Sequence, residues 1–311
     1  MVSDEPGRQV AATMPEPERS VIAVAPPGPG AGMWAGAPSV ARSDGEIFMA
    51  YRLRRPVGEG RGFAIVVARS ADGEHFTPLL MITKEEMNTE SLERPALVLT
   101  PEGTWRLYLS CATPGTKHWR IEMLEAAHPA AFDSLQRTVV LPGDVHTGVK
   151  DPVIVHDGRQ WHLWASVHPL ADPDQADQMV TEYATSTDGV DWSWHGPALS
   201  PRPGQWDARG VRISAVRLTP GNVVAYYDGR ASAAENYEER TGVATGTAPA
   251  SLCADGLMTR SPYGDGALRY LTILDLGAYG ERYYYEMARE DGSHELRTEL
   301  RARAATAAAL S

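Results

Sequence analysis

The sequence predicts an all-β fold, a five-bladed β-propeller of four-stranded antiparallel blades, and three observations predict it. One short pattern recurs five times at near-constant spacing. A glycine-containing turn signal follows each copy, and a run of aromatic and β-branched residues follows each turn. Repeats of this length, with no convincing long helix between them, mark an array of small sheets that bury their faces against one another.

The repeated segments are Ala37-Pro38-Ser39-Val40, Arg94-Pro95-Ala96-Leu97, Asp151-Pro152-Val153-Ile154, Arg212-Ile213-Ser214-Ala215 and Arg269-Tyr270-Leu271-Thr272, at steps of 57, 57, 61 and 57 residues. Each should open an innermost strand. The turns that end them are Asp44-Gly45, Glu102-Gly103, Asp157-Gly158, Pro220-Gly221 and Tyr279-Gly280, pairs that reverse a chain between apolar runs. Second strands are expected at 47–53, 105–109, 161–167, 223–227 and 283–287, and third strands at 63–68, 119–124, 180–185, 241–244 and 295–300. A fourth strand is legible at 79–82 and 138–141 and less clear later. Val21 to Ala25 is expected to supply the outer strand of the last blade and close the ring, which removes the exposed edges.

Two copies of S-x-D-G-x-x-aromatic, Ser70 to Phe76 and Ser186 to Trp192, lie 116 residues apart. Here an Asp caps a tight turn and an aromatic tucks beneath it. This Asp box supports the fold and carries no information about a substrate.

Residues 1–20 read as a flexible leader, 21–303 as the propeller and 304–311 as a tail. The leader lacks the basic start and apolar run of a secretory signal. With two cysteines, Cys111 and Cys253, forming no disulfide framework, a cytoplasmic location is expected. The net charge of −11 argues against nucleic acid or an anionic membrane as partner. Metal, P-loop and dinucleotide motifs are missing, so no cofactor is expected. The sequence is silent on oligomeric state.

In a propeller the innermost strands line a central funnel and ligands sit at one mouth of it. The aligned column Ala37, Arg94, Asp151, Arg212 and Arg269 therefore reads as a ring, beside a second column of Gly36, Glu93, Lys150, Val211 and Leu268. Charges at the start of buried strands are costly unless paired or used. Either they form a neutralised ring of salt bridges that spaces the blades, or they build a polar pocket for an anionic or hydroxyl-rich ligand. Rotational symmetry should bring Arg94, Asp151, Arg212 and Arg269 to one cavity.

This layout, from about Trp34 to Leu300, resembles the five-bladed glycoside hydrolases, a superfamily of family 43 enzymes, invertases, levansucrases and mannoside phosphorylases. Lys150-Asp151-Pro152-Val153 is similar to the invertase R-D-P motif of the third blade. The resemblance implies that Asp151 holds sugar hydroxyls and tunes the acid. The chain departs from the family at two places: Ala37 stands where the first-blade Asp is expected, and Arg212 near where the fourth-blade Glu is expected. Glycoside hydrolysis needs two carboxylates about the scissile bond. Glu93, set where the phosphorylases carry E-D-P, is one substitute; Asp207, Asp228 and Glu238, on loops returning to the same mouth, are others.

The remaining candidates lie on those loops. His168 and His146 neighbour Asp151 as acid–base groups. Arg209 and Arg230, with Lys150, Arg94, Arg212 and Arg269, would grip an anion, and Trp34 and Trp206 suit stacking on a sugar face. Three functions follow: a glycosidase-like enzyme on a small or oligomeric sugar, a repurposed propeller catalysing cyclisation, elimination or isomerisation of a small anionic metabolite, and a non-catalytic sugar-binding module. Two carboxylates about 5–10 Å apart across an open funnel would favour the first. An Arg-lined pocket with one acid would favour the second, and a sealed ring of ion pairs the third.

Overall fold

The computed structural model describes residues 12–302. Among them are twenty strands and four short 3-10 turns but no α-helix. The first strand, β1, is Val21–Val24. The next four form one antiparallel meander: β2 (Trp34–Ser43), β3 (Glu46–Arg54), β4 (Gly62–Ser70) and β5 (Thr77–Thr83). The second unit is β6 (Leu92–Leu99), β7 (Trp105–Ala112), β8 (Trp119–Ala126) and β9 (Arg137–Leu141). A third comprises β10 (Thr147–His156), β11 (Trp161–Pro169), β12 (Val180–Ser186) and β13 (Ser193–Leu199). Then come β14 (Gly210–Thr219), β15 (Asn222–Arg230), β16 (Arg240–Ala248) and β17 (Ser251–Thr259). The last unit holds β18 (Leu268–Asp275), β19 (Glu281–Ala288) and β20 (His294–Arg301).

All five hairpins fall at the turns the sequence marks, and at the first of them Asp44 and Gly45 both take positive φ, 52° and 82°. That geometry matches the right-handed twist of the flanking strands. The outer strands β13 and β17, illegible in the sequence, complete their sheets. Both are largely exposed, so neither carries a dense apolar signal.

The N-terminal strand pairs antiparallel with β20, with Val21 opposite Thr298, and so supplies the fourth strand of the last unit. A single parallel bridge, Trp34 to His294, joins the last unit to the first, so the two form one eight-stranded sheet. The first strands pack successively, β2 on β6, β6 on β10, β10 on β14, β14 on β18 and β18 back on β2, and the order closes on itself. Five apolar clusters fill the seams between these units. No helix in the described residues is long and apolar enough to cross a membrane.

The Asp boxes bind neighbouring units together. In each, the serine hydroxyl accepts from the glycine amide at 2.8 Å, and the aspartate oxygen accepts from the next two amides. The two glycine carbonyls then accept from tyrosines of adjacent units, Tyr284 to Gly73 at 3.1 Å and Tyr108 to Gly189 at 2.9 Å.

The described part of the expected leader, residues 12–20, is not free of the fold. The Thr13 hydroxyl lies 2.8 Å from that of Tyr283, and Arg301 pairs with Glu16 at 2.7 Å. Residues 1–11 and the tail 304–311 lie outside the described residues.

Every first strand carries a β-bulge, two residues facing one on its partner. In three units the first bulge residue is left-handed: Ala37 at φ 51°, Asp151 at 56° and Tyr270 at 55°. This corrects the aligned column. The equivalent of Asp151 in the last unit is Tyr270, and Arg269 corresponds to Lys150. Arg212 likewise precedes its bulge. A sequence repeat cannot show a one-residue slip where no proline marks the register.

Candidate active site

The bulges turn the starts of the first strands toward one mouth, where a cavity of about 420 Å³ opens. Of the candidates read from the sequence, Glu93, Lys150, His168, Arg212, Arg230 and Arg269 line it. Beside them stand residues that sequence reasoning passed over: Arg54, Arg61, Lys117, Trp119, Asp177, Asn236, Tyr237, Glu239 and Tyr270. Seven cationic side chains thus face three carboxylates, an excess of four in a protein of net charge −11.

Beneath the cavity lies a layer of buried ion pairs. Glu286 accepts from Arg52 at 2.8 Å and from Arg269 at 2.7 Å, and His294 Nδ1 lies 2.8 Å from it. Glu93 takes Arg52 and, at 3.4 Å, Arg54. Glu239 accepts from Arg269 at 2.5 Å and from Arg230 at 2.8 Å. Arg212 reaches Asp228 at 3.0 Å and Asp151 at 3.3 Å, with the Tyr270 ring 3.8 Å from its guanidinium carbon. Counting Arg52, Asp151, Asp228 and Glu286 with the lining groups still leaves an excess of two positive charges.

All three lining carboxylates are held ionised. Burial opposes ionisation of Glu93, but Arg52 and Arg54 overcome it and hold the group at about 2. Glu239 is driven well below the usual carboxylate range by Arg269, Arg212 and Arg230 against the same cost of burial. Asp177 is lowered through Arg209 and Arg230. None is available to donate a proton at neutral pH.

Two other groups are suited to proton transfer. His168 is 5 % exposed, and its Nδ1 lies 3.2 Å from the Ala176 carbonyl, so that nitrogen carries the proton. Its Nε2 is buried and has no protein partner, on a ring that lines the cavity. Burial, then the charge of Lys150, holds the imidazole neutral to well below its ordinary value. Tyr237 sits at φ 82°, a strained conformation for a bulky residue. Arg54 stacks 4.4 Å from its ring centre and 4.5 Å from that of Trp34. Burial alone would raise the phenol, but Arg54 outweighs it and the group is lowered.

The structure moves several candidates away from the cavity. Asp151 and Asp228 are fully buried beneath it and do not line it. The Asp228 carboxylate accepts from the Tyr270 amide at 3.0 Å, clasping the bulge of the next unit, as the Ser110 hydroxyl clasps the Asp151 amide at 2.8 Å. Asp207 accepts from Arg202 at 2.8 Å and Tyr227 at 2.9 Å, inside its own unit. Trp206 stacks on Tyr227 at 5.5 Å, over Gly229 and Gly242, and belongs to the packing. Trp34 stacks on His294 at 4.3 Å in the seam between the last unit and the first. Arg209 holds Asp177 at 2.5 Å behind the rim. His146 is an exposed turn residue whose amide donates to Asp144, and Glu238 points elsewhere than its neighbour Glu239, outside the lining. Arg94 does not meet the others; it lines a separate cavity.

The second strands held further signal in Arg52, Asp228 and Glu286, of which only Asp228 is among the candidates read from the sequence. Arg52 pairs with Gly36, Asp228 with Arg212 and Glu286 with Arg269, each directly across from a first-strand start. Two arginines within the apolar run 47–54 and an acid within 283–287 have no structural reason to be there unless they face one another.

No protein-family model and no curated protein matches the sequence. Solved structures do. The family 43 enzyme of Xanthomonas citri complexed with xylose superposes with a TM-score of 0.65 at 14 % identity, covering 91 % of each chain. The β-1,2-mannobiose phosphorylase of Listeria innocua gives 0.61 at 16 %, covering 93 % of this chain and 92 % of that one. A family 130 glycoside hydrolase described as targeting β-1,2-mannosidic linkages gives 0.62 at 17 %, covering 90 % and 88 %. The fold is that of the propeller-type glycoside hydrolases and mannoside phosphorylases. These likenesses speak for the architecture; the chemistry has to be argued from the cavity.

Proposed function

We propose that the chain is a carbohydrate-active enzyme, its five four-stranded units arranged as blades about one axis, that acts on an anionic, hydroxyl-bearing sugar derivative in the 420 Å³ cavity. One observation carries this reading: seven cationic side chains against three carboxylates, every one of those carboxylates already ion-paired. An anion is the ligand that such a lining lacks. Trp119, with the Lys150 ammonium 5.0 Å from its ring centre, offers a face for the sugar ring.

The same observation favours the repurposed propeller over hydrolysis by a carboxylate pair. Neither a protonated acid nor a free carboxylate base lines the cavity, whereas a two-carboxylate mechanism needs both. In our reading His168 Nε2 takes a proton from the substrate, Tyr237 returns one, and Arg54 and Lys150 stabilise the charge that develops between. Elimination, isomerisation or cyclisation at a position next to the anionic group fits that set.

The test is calorimetry with glucuronate, glucose 6-phosphate and glucose, followed by assay on nitrophenyl glycosides with and without phosphate. The anionic sugars are expected to bind at least about tenfold more tightly than glucose, with no nitrophenol released. Equal binding of all three would end the anionic reading. Nitrophenol release that survives His168→Asn would restore hydrolysis.

A further inference from the structure

Past their bulges the same first strands enclose a second cavity of about 340 Å³. The active cavity takes residues at or before the bulges, such as Lys150, Arg269 and Tyr270; this one takes Arg94, Pro152 and Ser214 from within the bulges and residues beyond them on all five first strands. Val40, Leu97, Val153, Val155, Val216 and Ile273 form apolar walls, with Ser39, Ser214, Thr272 and His156 between them. No carboxylate lines it.

Arg94 is its one charged residue apart from titratable His156. The side chain is 2 % exposed, and its only hydrogen bond runs from Nη2 to the Ser214 carbonyl at 2.5 Å. Nε and Nη1 are buried with no partner. The carboxylates that act on Arg94 electrostatically, Asp228 and Asp151, each accept from Arg212 through one oxygen, and the other oxygen of Asp151 has no partner. Burial accordingly pushes Arg94 down to about 10, against the pull of Asp228 and Asp151. A buried guanidinium left this way is costly, and an anion that brings an apolar body with it satisfies both the charge and the walls.

We propose that this second cavity binds a small carboxylate with an apolar body, its carboxylate on Arg94 and its body against the valine and isoleucine walls. The site is separate from the one proposed for the sugar, and neither depends on the other.

Calorimetry on the full chain with hexanoate, acetate and hexanol tests it. Hexanoate should bind about tenfold or more tightly than acetate, which lacks the body, and than hexanol, which lacks the charge. Arg94→Met should bring hexanoate down to the level of hexanol without changing binding of the anionic sugar at the other mouth. Val155→Trp, which fills the cavity and spares Arg94, should abolish both hexanoate and hexanol binding, and it keeps the test open if the Met variant does not fold. Hexanoate binding no tighter than hexanol, or unchanged in Arg94→Met, would overturn the proposal; so would acetate binding as tightly as hexanoate.

Discussion

The Glu286 carboxylate occupies the space that a side chain at position 36 would need: a Cβ on Gly36 would overlap Glu286 Oε2. The carboxylate cannot step aside, because Arg52, Arg269 and His294 hold it on three sides. A missing side chain on β2 is thus what lets the ion pairs beneath the cavity close between the last unit and the first. Gly36→Ala should cost about 3 kcal/mol or more, the upper range for overpacking a tight core. Thermal unfolding would show it as a clear loss of melting temperature, and an unchanged value would mean that the layer is loose.

Asp151→Asn tests the ring itself. Asn tolerates the left-handed backbone at φ 56°, so the change isolates the charge. Arg212 keeps Asp228 when Asp151 is neutralised, so the loss should fall below the roughly 3–5 kcal/mol of breaking an isolated buried pair. Asp151→Ala should cost about 1–2 kcal/mol more through backbone strain. Denaturant unfolding of the two variants measures both quantities. Equal stability of the Asn variant and the parent would mean that the Asp151 charge contributes nothing to the layer of ion pairs.

Glu93 gives a pH signature. Its ionised form is favoured in the fold, at about 2 against an ordinary 4.5. The stability it confers is therefore present above about pH 4.5 and lost as pH falls toward 2. Glu93→Gln should be much less stable than the parent at pH 7, with melting temperatures converging below pH 4. A gap that stays constant across that window would contradict the assignment.

Glu299 gives the opposite one. Burial raises it from 4.5 to about 7, against the Glu16 amide and Arg301. The fold prefers the protonated form, so stability is lost as pH rises from about 4.5 through 7. Glu299→Gln should raise the melting temperature at pH 8 and leave it nearly unchanged at pH 4. A variant that is no more stable at pH 8 would refute this.

His168 carries the activity prediction, which rests on the proposed function. His168→Asn should lower turnover by about 100-fold or more, the usual worth of a positioned base. Because the imidazole stays neutral to well below its ordinary value, the parent's rate should show no inflection near pH 6.5 from this group. Full turnover by the Asn variant on the identified substrate would remove His168 from the mechanism.

That the chain is all-β and built of four-stranded antiparallel units was legible in the sequence. Hairpin turns and alternating apolar strands are local signals, the repeat steps of 57 and 61 residues set them in series, and Val21 to Ala25 was legible as a closing strand because the last unit lacked an outer one. The starts of the first strands were likewise visible, and Lys150, Arg212 and Arg269 do reach the cavity. Which of the charged residues met was decided only in three dimensions. A bulge shifts the register by one residue, so Tyr270, not Arg269, takes the place of Asp151, and Arg94 turns to the opposite cavity. Arg52, Glu239 and Glu286 come from three different units; Arg52 meets Glu286 across 234 residues of sequence, and Glu239 meets Arg269 across 30. No local pattern encodes such a contact: it exists because the first strands close into a ring, and because a buried charge must find its opposite wherever closure brings one.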